Sequence, residues 1–316
     1  MIWPALRQRR AALITMMTLV GLLAAAYLVA GLMTRQLYPA EHLGECTHGQ
    51  GGSAALCGLE YGDPAHLFLG FMHGLAASLW LLPLLIGMFL AAAPTAREFE
   101  TGTLRWTFTQ GISRRRWLVT TASAVLVPGL SMAVVFQLGY QFWQAPLGEF
   151  YGQLGQGRGF GLGPLAMPAL TVFTAAFGLL AASALRRLTA TIAVTLLGWY
   201  LVSFGLGLLR PRYLAPLLTE GRDAPTRADW RIATKITDAT GAEVSLDEAY
   251  ARASRLRPVS SGGNADHYFA EAGLIRWVEY QPADRFWTFQ FIEAGILLVL
   301  TGLSLAGAWL LVRRRP

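Results

Sequence analysis

Charge is the scarcest ingredient of this chain. Only 14% of its 316 residues are Asp, Glu, Lys or Arg, about half the share of a soluble protein, and so few charges cannot cover a soluble fold of this size. Lysine is nearly absent: Lys235 is alone among 26 basic residues, the rest being arginine. The two cysteines, Cys46 and Cys57, form no CxxC, and no HxxxH spacing joins them, so no standard zinc site can be written. There is no GxxxxGK[ST] phosphate loop, which excludes nucleotide hydrolysis by that route. The alternating glycines Gly155 to Gly163 fit no GxGxxG register and lack the flanking strand and helix of a dinucleotide loop. A water-soluble enzyme is excluded.

What the chain has in quantity is apolar residues, 54% of the total. They cluster in runs near or above the ~20 residues that cross a bilayer. Six spans follow, at 11–33, 67–93, 118–140, 164–185, 188–209 and 289–312. The first is too long for a signal peptide and has no small-residue cleavage site, so it is retained. The fold class is an all-α polytopic membrane protein of six transmembrane helices. The net charge of +7 comes from arginines at the ends of apolar runs, where they face lipid headgroups. They do not line a nucleic-acid surface.

Arginine placement orients the chain. With the N-terminus in the cytoplasm, the inner segments carry thirteen: Arg7, Arg9, Arg10, Arg97, Arg105, Arg114, Arg115, Arg116, Arg186, Arg187, Arg313, Arg314 and Arg315. The short outer loops carry only Arg35 and Arg158. The remaining basic residues lie in 210–287, a segment long enough to escape the positive-inside rule. Both termini are therefore expected in the cytoplasm, with the chain multi-pass in the cell membrane. Trp3, Trp117 and Trp309 fall at the inner interface, and Trp143, Tyr280, Phe286 and Trp287 at the outer one. Trp199 lies mid-span, where packing against a neighbouring span explains it.

The domains expected are 1–209, holding five spans, an extracellular cap at 210–287, and 288–316 with the sixth span and a basic tail. In the first outer loop, 34–66, a Cys46–Cys57 disulfide would contribute ~3 kcal/mol. Free thiols, or a metal site with His42 and His48, are the alternatives. The glycine-rich loop 141–163 reads as a flexible connector. The cap reads as a small α+β insertion before the last helix. Its strand 230–238 points Trp230, Ile232, Thr234 and Ile236 to one face, and a turn follows at 238–241. Ser245 and Glu248 form a capping box that opens a helix ended by Pro258, and a strand at 274–280 returns the chain to the membrane. Asp266 and His267 are adjacent there, without a nucleophile and oriented base, so no catalytic residue is assigned.

Polar residues within spans mark candidate pathway or gate positions: His73, Gln137 and Glu293. An acid at 293 needs water, a partner or a lining role, and structural pairing stands beside the gate reading. Pro83, Pro128 and Pro168 can kink their spans.

The inner segment 94–117 is amphipathic, with Phe99, Leu104, Trp106 and Phe108 as apolar anchors. Glu98 and Glu100 would suit the N-terminus of a short helix or meet a basic partner. An interfacial helix without a partner is the plainer reading. The run Arg97-Glu98-Phe99-Glu100-Thr101-Gly102-Thr103-Leu104 and the stretch Ser113-Arg114-Arg115-Arg116-Trp117 resemble the loop after the second span of type-two ABC transporter permeases. The stretch 280–287, then Gln290, Ile292-Glu293-Ala294-Gly295 and the final arginines, resembles the actinobacterial branch of that family, as does the Arg-rich opening. Thr120 and Thr121 stand where the family often has a basic residue.

The resemblance implies that 94–117 is a coupling helix docking on a separate ATP-binding subunit, through Arg97, Glu98, Glu100, Gly102, Thr103 and Arg105. ATP and Mg would be bound by that partner, with no cofactor in this chain. It also implies a second permease chain, membrane lipids around the spans, and export by rigid-body coupling. Glu98→Arg with Glu100→Arg is then expected to weaken docking with insertion intact. A polytopic membrane enzyme using the cap, or a non-transporting anchor for a cytoplasmic partner, are the competing readings. An apolar cargo such as a drug, antibiotic or lipid rests on family analogy alone.

Overall fold

Among the described residues, six helices are long and apolar enough to cross a membrane. The computed structural model describes residues 9–37, 64–151, 163–220, 225, 229–256 and 265–314. Cys46, Cys57, His42 and His48 lie outside the described residues, as do Trp3, Pro258 and residues 152–162 of the glycine-rich loop.

The first span is α1, Arg10–Leu37. The second is a broken path. It runs through α2 (Pro64–Ser78), a 3-10 turn (Leu79–Leu81), α3 (Leu82–Ile86), a π turn (Gly87–Ala92) and α4 (Ala93–Glu100). Pro83 and Pro94 each stand in the first turn after one of these irregular segments. The short α5 (Thr103–Thr109) follows, then α6 (Arg114–Tyr151), which overruns both ends of the expected third span. The expected connector 141–163 therefore begins as helix. The fourth and fifth spans are α7 (Ala166–Leu185) and α8 (Leu188–Leu209), and Pro168 lies in the first turn of α7, where it breaks nothing.

At the centre stands α7, the most buried span, with α6, α8, the π turn and the last span packed around it. Lipid supplies no hydrophobic drive between helices, so close backbone approach through small residues holds them. Accordingly α7 buries Ala166, Ala169, Ala175, Ala176, Gly178, Ala181 and Ala182. Its hydroxyls return to its own backbone: Thr171 donates to Met167 O (2.9 Å), Thr174 to Leu170 O (2.7 Å) and Ser183 to Leu179 O (2.8 Å). A side chain at Gly87 would meet Thr174 at 2.7 Å, and one at Gly178 would meet Ala92 at 3.0 Å. The second interface joins α1 to α6 around Tyr27, Phe136, Tyr140 and Trp143. Trp143, expected in the interfacial belt, is fully buried there. Trp199 does pack against a neighbouring span, with its ring 4.5 Å from that of Trp80.

Between α8 and the last span lies a four-stranded antiparallel sheet. It comprises β1 (Leu217–Glu220), β2 (Trp230–Asp238), β3 (Glu243–Val244) and β4 (Leu274–Gln281), in the order β1-β4-β2-β3. The helices α9 (Leu246–Leu256) and α10 (Ala265–Glu271) complete it around Ile236, Val244, Ala249, Ala253, Phe269 and Leu274. Asp238 Oδ1 accepts from the Thr240 hydroxyl (2.6 Å) and from the amides of Thr240 and Ala242, which holds its carboxyl below the usual carboxylate range.

Two cap expectations need correction. A bulge between Arg231 and Ala233 breaks the alternation, so of Trp230, Ile232, Thr234 and Ile236 only Ile236 is buried. Half of the capping box forms: Ser245 Oγ accepts from the Glu248 amide, while the Glu248 carboxylate turns to Arg252. The short β1 and α10 carry too little periodicity to be read beforehand. The last span, α11, runs Phe286–Arg314.

Gly87→Ala is expected to destabilise the protein by ~1–3 kcal/mol through overpacking. Thr174→Ala in that background should recover part of the loss by removing the methyl that the new Cβ strikes. Thermal unfolding of the detergent-solubilised protein measures both; additive losses would show that this contact is not the tight one.

Candidate functional site

The end of the bundle that carries Arg9, Arg97 and Arg186 also carries a helical hairpin. Gly102 adopts φ +72° between α4 and α5, a left-handed conformation that favours glycine. Thr101 Oγ1 donates to Arg97 O (2.8 Å) and Thr103 Oγ1 to Glu98 O (3.1 Å), satisfying carbonyls at the end of α4. Gly102 and Thr103 thus shape the reversal.

One side of the hairpin is apolar and held. Phe99, Leu104 and Phe108 pack with Trp117 and Leu118 of α6 and Ala308 and Val312 of α11. Trp106, expected among these anchors, points away and is 75% exposed. Arg97 is exposed as well. The side chain of Arg105 lies outside the described residues.

The carboxylates of the hairpin are engaged within the chain. Glu98 accepts from Arg9 at 3.1 Å. Arg9, only 2% exposed, also donates to Leu90 O (2.6 Å) and Thr95 Oγ1 (3.1 Å). Leu90 stands in the π turn, four residues before Pro94, which has no N–H to offer its carbonyl. Arg9 supplies that missing donor.

Glu100 accepts from the Leu188 amide at 3.1 Å, the first residue of α8. Its charge complements a helix N-terminus as expected, but that of α8. Both acids sit at the C-terminal end of their own helix α4. Arg186, at φ +55° between α7 and α8, lies 5.5 Å from the Phe99 ring. Arg114 donates to Val312 O and Arg313 O, both 3.0 Å, closing the end of α11.

At the opposite, sheet-bearing end, Glu293 forms a two-pronged pair with Arg210: Nε to Oε2 at 3.0 Å and a terminal nitrogen to Oε1 at 2.7 Å. Gln290 Oε1 accepts from the amides of Leu165 (3.2 Å) and Ala166 (3.0 Å), capping α7. Gln281 Nε2 donates to Pro211 O (3.1 Å) and Leu214 O (2.7 Å), fastening β4 to the segment after α8. His73 lies in α2, its ring 5.0 Å from that of Trp143, and Gln137 is buried in α6. In α10, His267 meets Glu271 at 3.1 Å, both exposed; the Asp266 side chain lies outside the described residues. Among the described residues no cluster of three or more His, Cys, Asp or Glu is placed to hold a metal.

Sequence reasoning missed the roles of Arg9, Arg210 and Gln290. The Pro94 spacing to Leu90 was the one local signal for Arg9.

A family model described as "ABC-2 membrane transporter related" matches residues 17–210, which is more than half of the chain and includes the whole hairpin. No curated protein and no solved structure matches it.

Removing one partner of a buried ion pair costs ~3–5 kcal/mol, because the other charge stays behind. Arg9→Ala and Glu293→Ala should each approach that loss in chemical unfolding. In each pair the double alanine variant should lose clearly less than the sum of its singles. Additivity would mean that the pair is not formed.

Proposed function

Because the chain belongs to the ABC-2 membrane transporter related family, we propose that it is the transmembrane permease subunit of a type-two ATP-driven exporter of the actinobacterial kind, worked by a separate ATP-binding subunit that carries ATP and Mg. The carrying observation is the hairpin. It offers an exposed face at Arg97, Thr103 and Trp106, while its other side is bonded to four other parts of the bundle. A partner pressing on that face would move Arg9 with α1, Leu188 with α8, and the ends of α6 and α11 together. Closure of an ATPase pair would then be converted into rigid-body displacement of the spans.

In this reading the hairpin and both termini face the cytoplasm, where thirteen arginines fall, and the sheet lies outside. A second permease chain completes the assembly. Glu98 and Glu100 transmit force rather than dock. The double reversal Glu98→Arg with Glu100→Arg therefore disturbs the fold as well as docking, and the separating variants lie on the exposed face.

The test is purification of the tagged chain in mild detergent and identification of what accompanies it. A stoichiometric ATP-binding subunit is expected. Trp106→Ala with Arg97→Glu should weaken its retention about thirtyfold, the effect of losing an interface hot spot, with the elution of the chain itself unchanged. A chain that purifies alone from several gentle detergents would overturn the reading, as would full retention by the double variant.

A further inference from the structure

The two adjacent arginines at the start of α1 have opposite fates. Arg9 is buried and bonded to the second span. Arg10 is exposed, and no carboxylate pairs with it among the described residues. Its side chain stands at one end of a groove of about 850 Å³ between α1 and α6. Leu13, Met17 and Gly21 form one wall, and Pro128, Met132 and Val135 the other. Among the described residues, the only other polar side chain lining it, Ser131, spends its hydroxyl on Val127 O at 2.9 Å. The walls therefore give a polar ligand nothing to bond beyond Arg10.

The depth of the groove identifies its occupant. Arg10 is the first residue of α1 and directly precedes its apolar run. From Arg10 to Gly21 the helix rises about 16 Å, half of a ~30 Å hydrocarbon core. The groove thus spans one leaflet, from the headgroup level to the bilayer midplane, and the one cation among its described lining residues stands at the headgroup end. We infer that it is a binding site for one anionic phospholipid of the leaflet on the Arg10 side, its headgroup on the Arg10 guanidinium and an acyl chain lying along Met17 and Gly21 against Pro128 and Met132. This site is independent of the ATPase reading: it requires only that α1 and α6 cross the membrane.

A larger side chain at Gly21 fills the groove without disturbing the fold, because a Cβ there meets nothing within 4 Å. Met17, 59% exposed, offers a second filling position in Met17→Trp. The experiment is native mass spectrometry of the purified full chain, delipidated and supplied with phosphatidylglycerol or phosphatidylcholine of identical acyl chains. Wild type should retain one phosphatidylglycerol about fivefold more strongly than phosphatidylcholine, the contribution of one interfacial arginine to an anionic surface. Arg10→Gln should remove that preference while still retaining lipid, and Gly21→Phe and Met17→Trp should lose both lipids. Equal retention of the two lipids by wild type overturns the proposal, as does undiminished retention by both filling variants. A chain dimer that dissociates in Gly21→Phe while lipid retention is unchanged overturns it too, and makes a second copy the occupant.

Discussion

Backbone groups at a helix end cannot be left bare next to hydrocarbon, and this chain satisfies them with side chains borrowed from distant spans. Arg9 supplies the Leu90 carbonyl, Glu100 the Leu188 amide, Gln290 the amides of Leu165 and Ala166, and Arg114 the last carbonyls of α11. Each bond joins positions more than eighty residues apart. Hydrogen bonds to charged groups contribute ~1.5–3 kcal/mol apiece, too little to hold the bundle together alone. Cohesion comes from close packing on α7. The borrowed caps decide which helix end lies beside which, because any other arrangement would leave a backbone group and a charge unpaired.

That arrangement has a mechanical consequence. The hairpin α4–α5 cannot shift as an independent piece, since its carboxylates end on α8 and on the arm before α1, and its rings on α6 and α11. Coupling of this kind is reciprocal in binding free energy. Under the proposed function, a cargo that favours one arrangement of the spans would also bias the hairpin that meets the ATPase. Glu98 and Glu100, two of the residues first read as docking groups, are better placed to make that coupling than to contact the partner.

The spans, the cap and its main turn were legible because their signals are local: apolar runs of membrane length, and turn residues such as Asp238 and Gly241. What was illegible depends on contacts far apart in sequence. Amphipathicity places Trp106 and Trp117 equally near the interface, yet only Trp117 finds the groove between α5 and α11. The chemistry of Glu100 was readable as a helix-dipole partner, but not the identity of the helix. Gln290 could be noticed only as part of a resemblance, because its work is to cap α7, and Gly163 must lack a side chain for it to do so: a Cβ there would strike the Gln290 amide. For Glu293 the alternatives of gate and structural partner meet in one geometry, a buried pair with Arg210 at the end of α8.

The two buried pairs also constrain how the bundle can move. Arg9–Glu98 and Arg210–Glu293 lie at opposite ends and join different spans. Breaking either would strand a charge away from water, so the motion that the proposed function requires should pivot about these pairs rather than pass through them. Between the ends, the second span already departs from α-helix twice, at the 3-10 turn Leu79–Leu81 and the π turn Gly87–Ala92. Such turns place strain and adjustable hydrogen bonds where a helix can flex. The π turn is packed tightly on α7 through Gly87 and its carbonyl is held by Arg9, whereas Trp80 of the 3-10 turn is 40% exposed. Displacement of the hairpin would therefore carry the hairpin-side segment of the second span as one body with α7, and bend the span at Leu79–Leu81, just before Pro83.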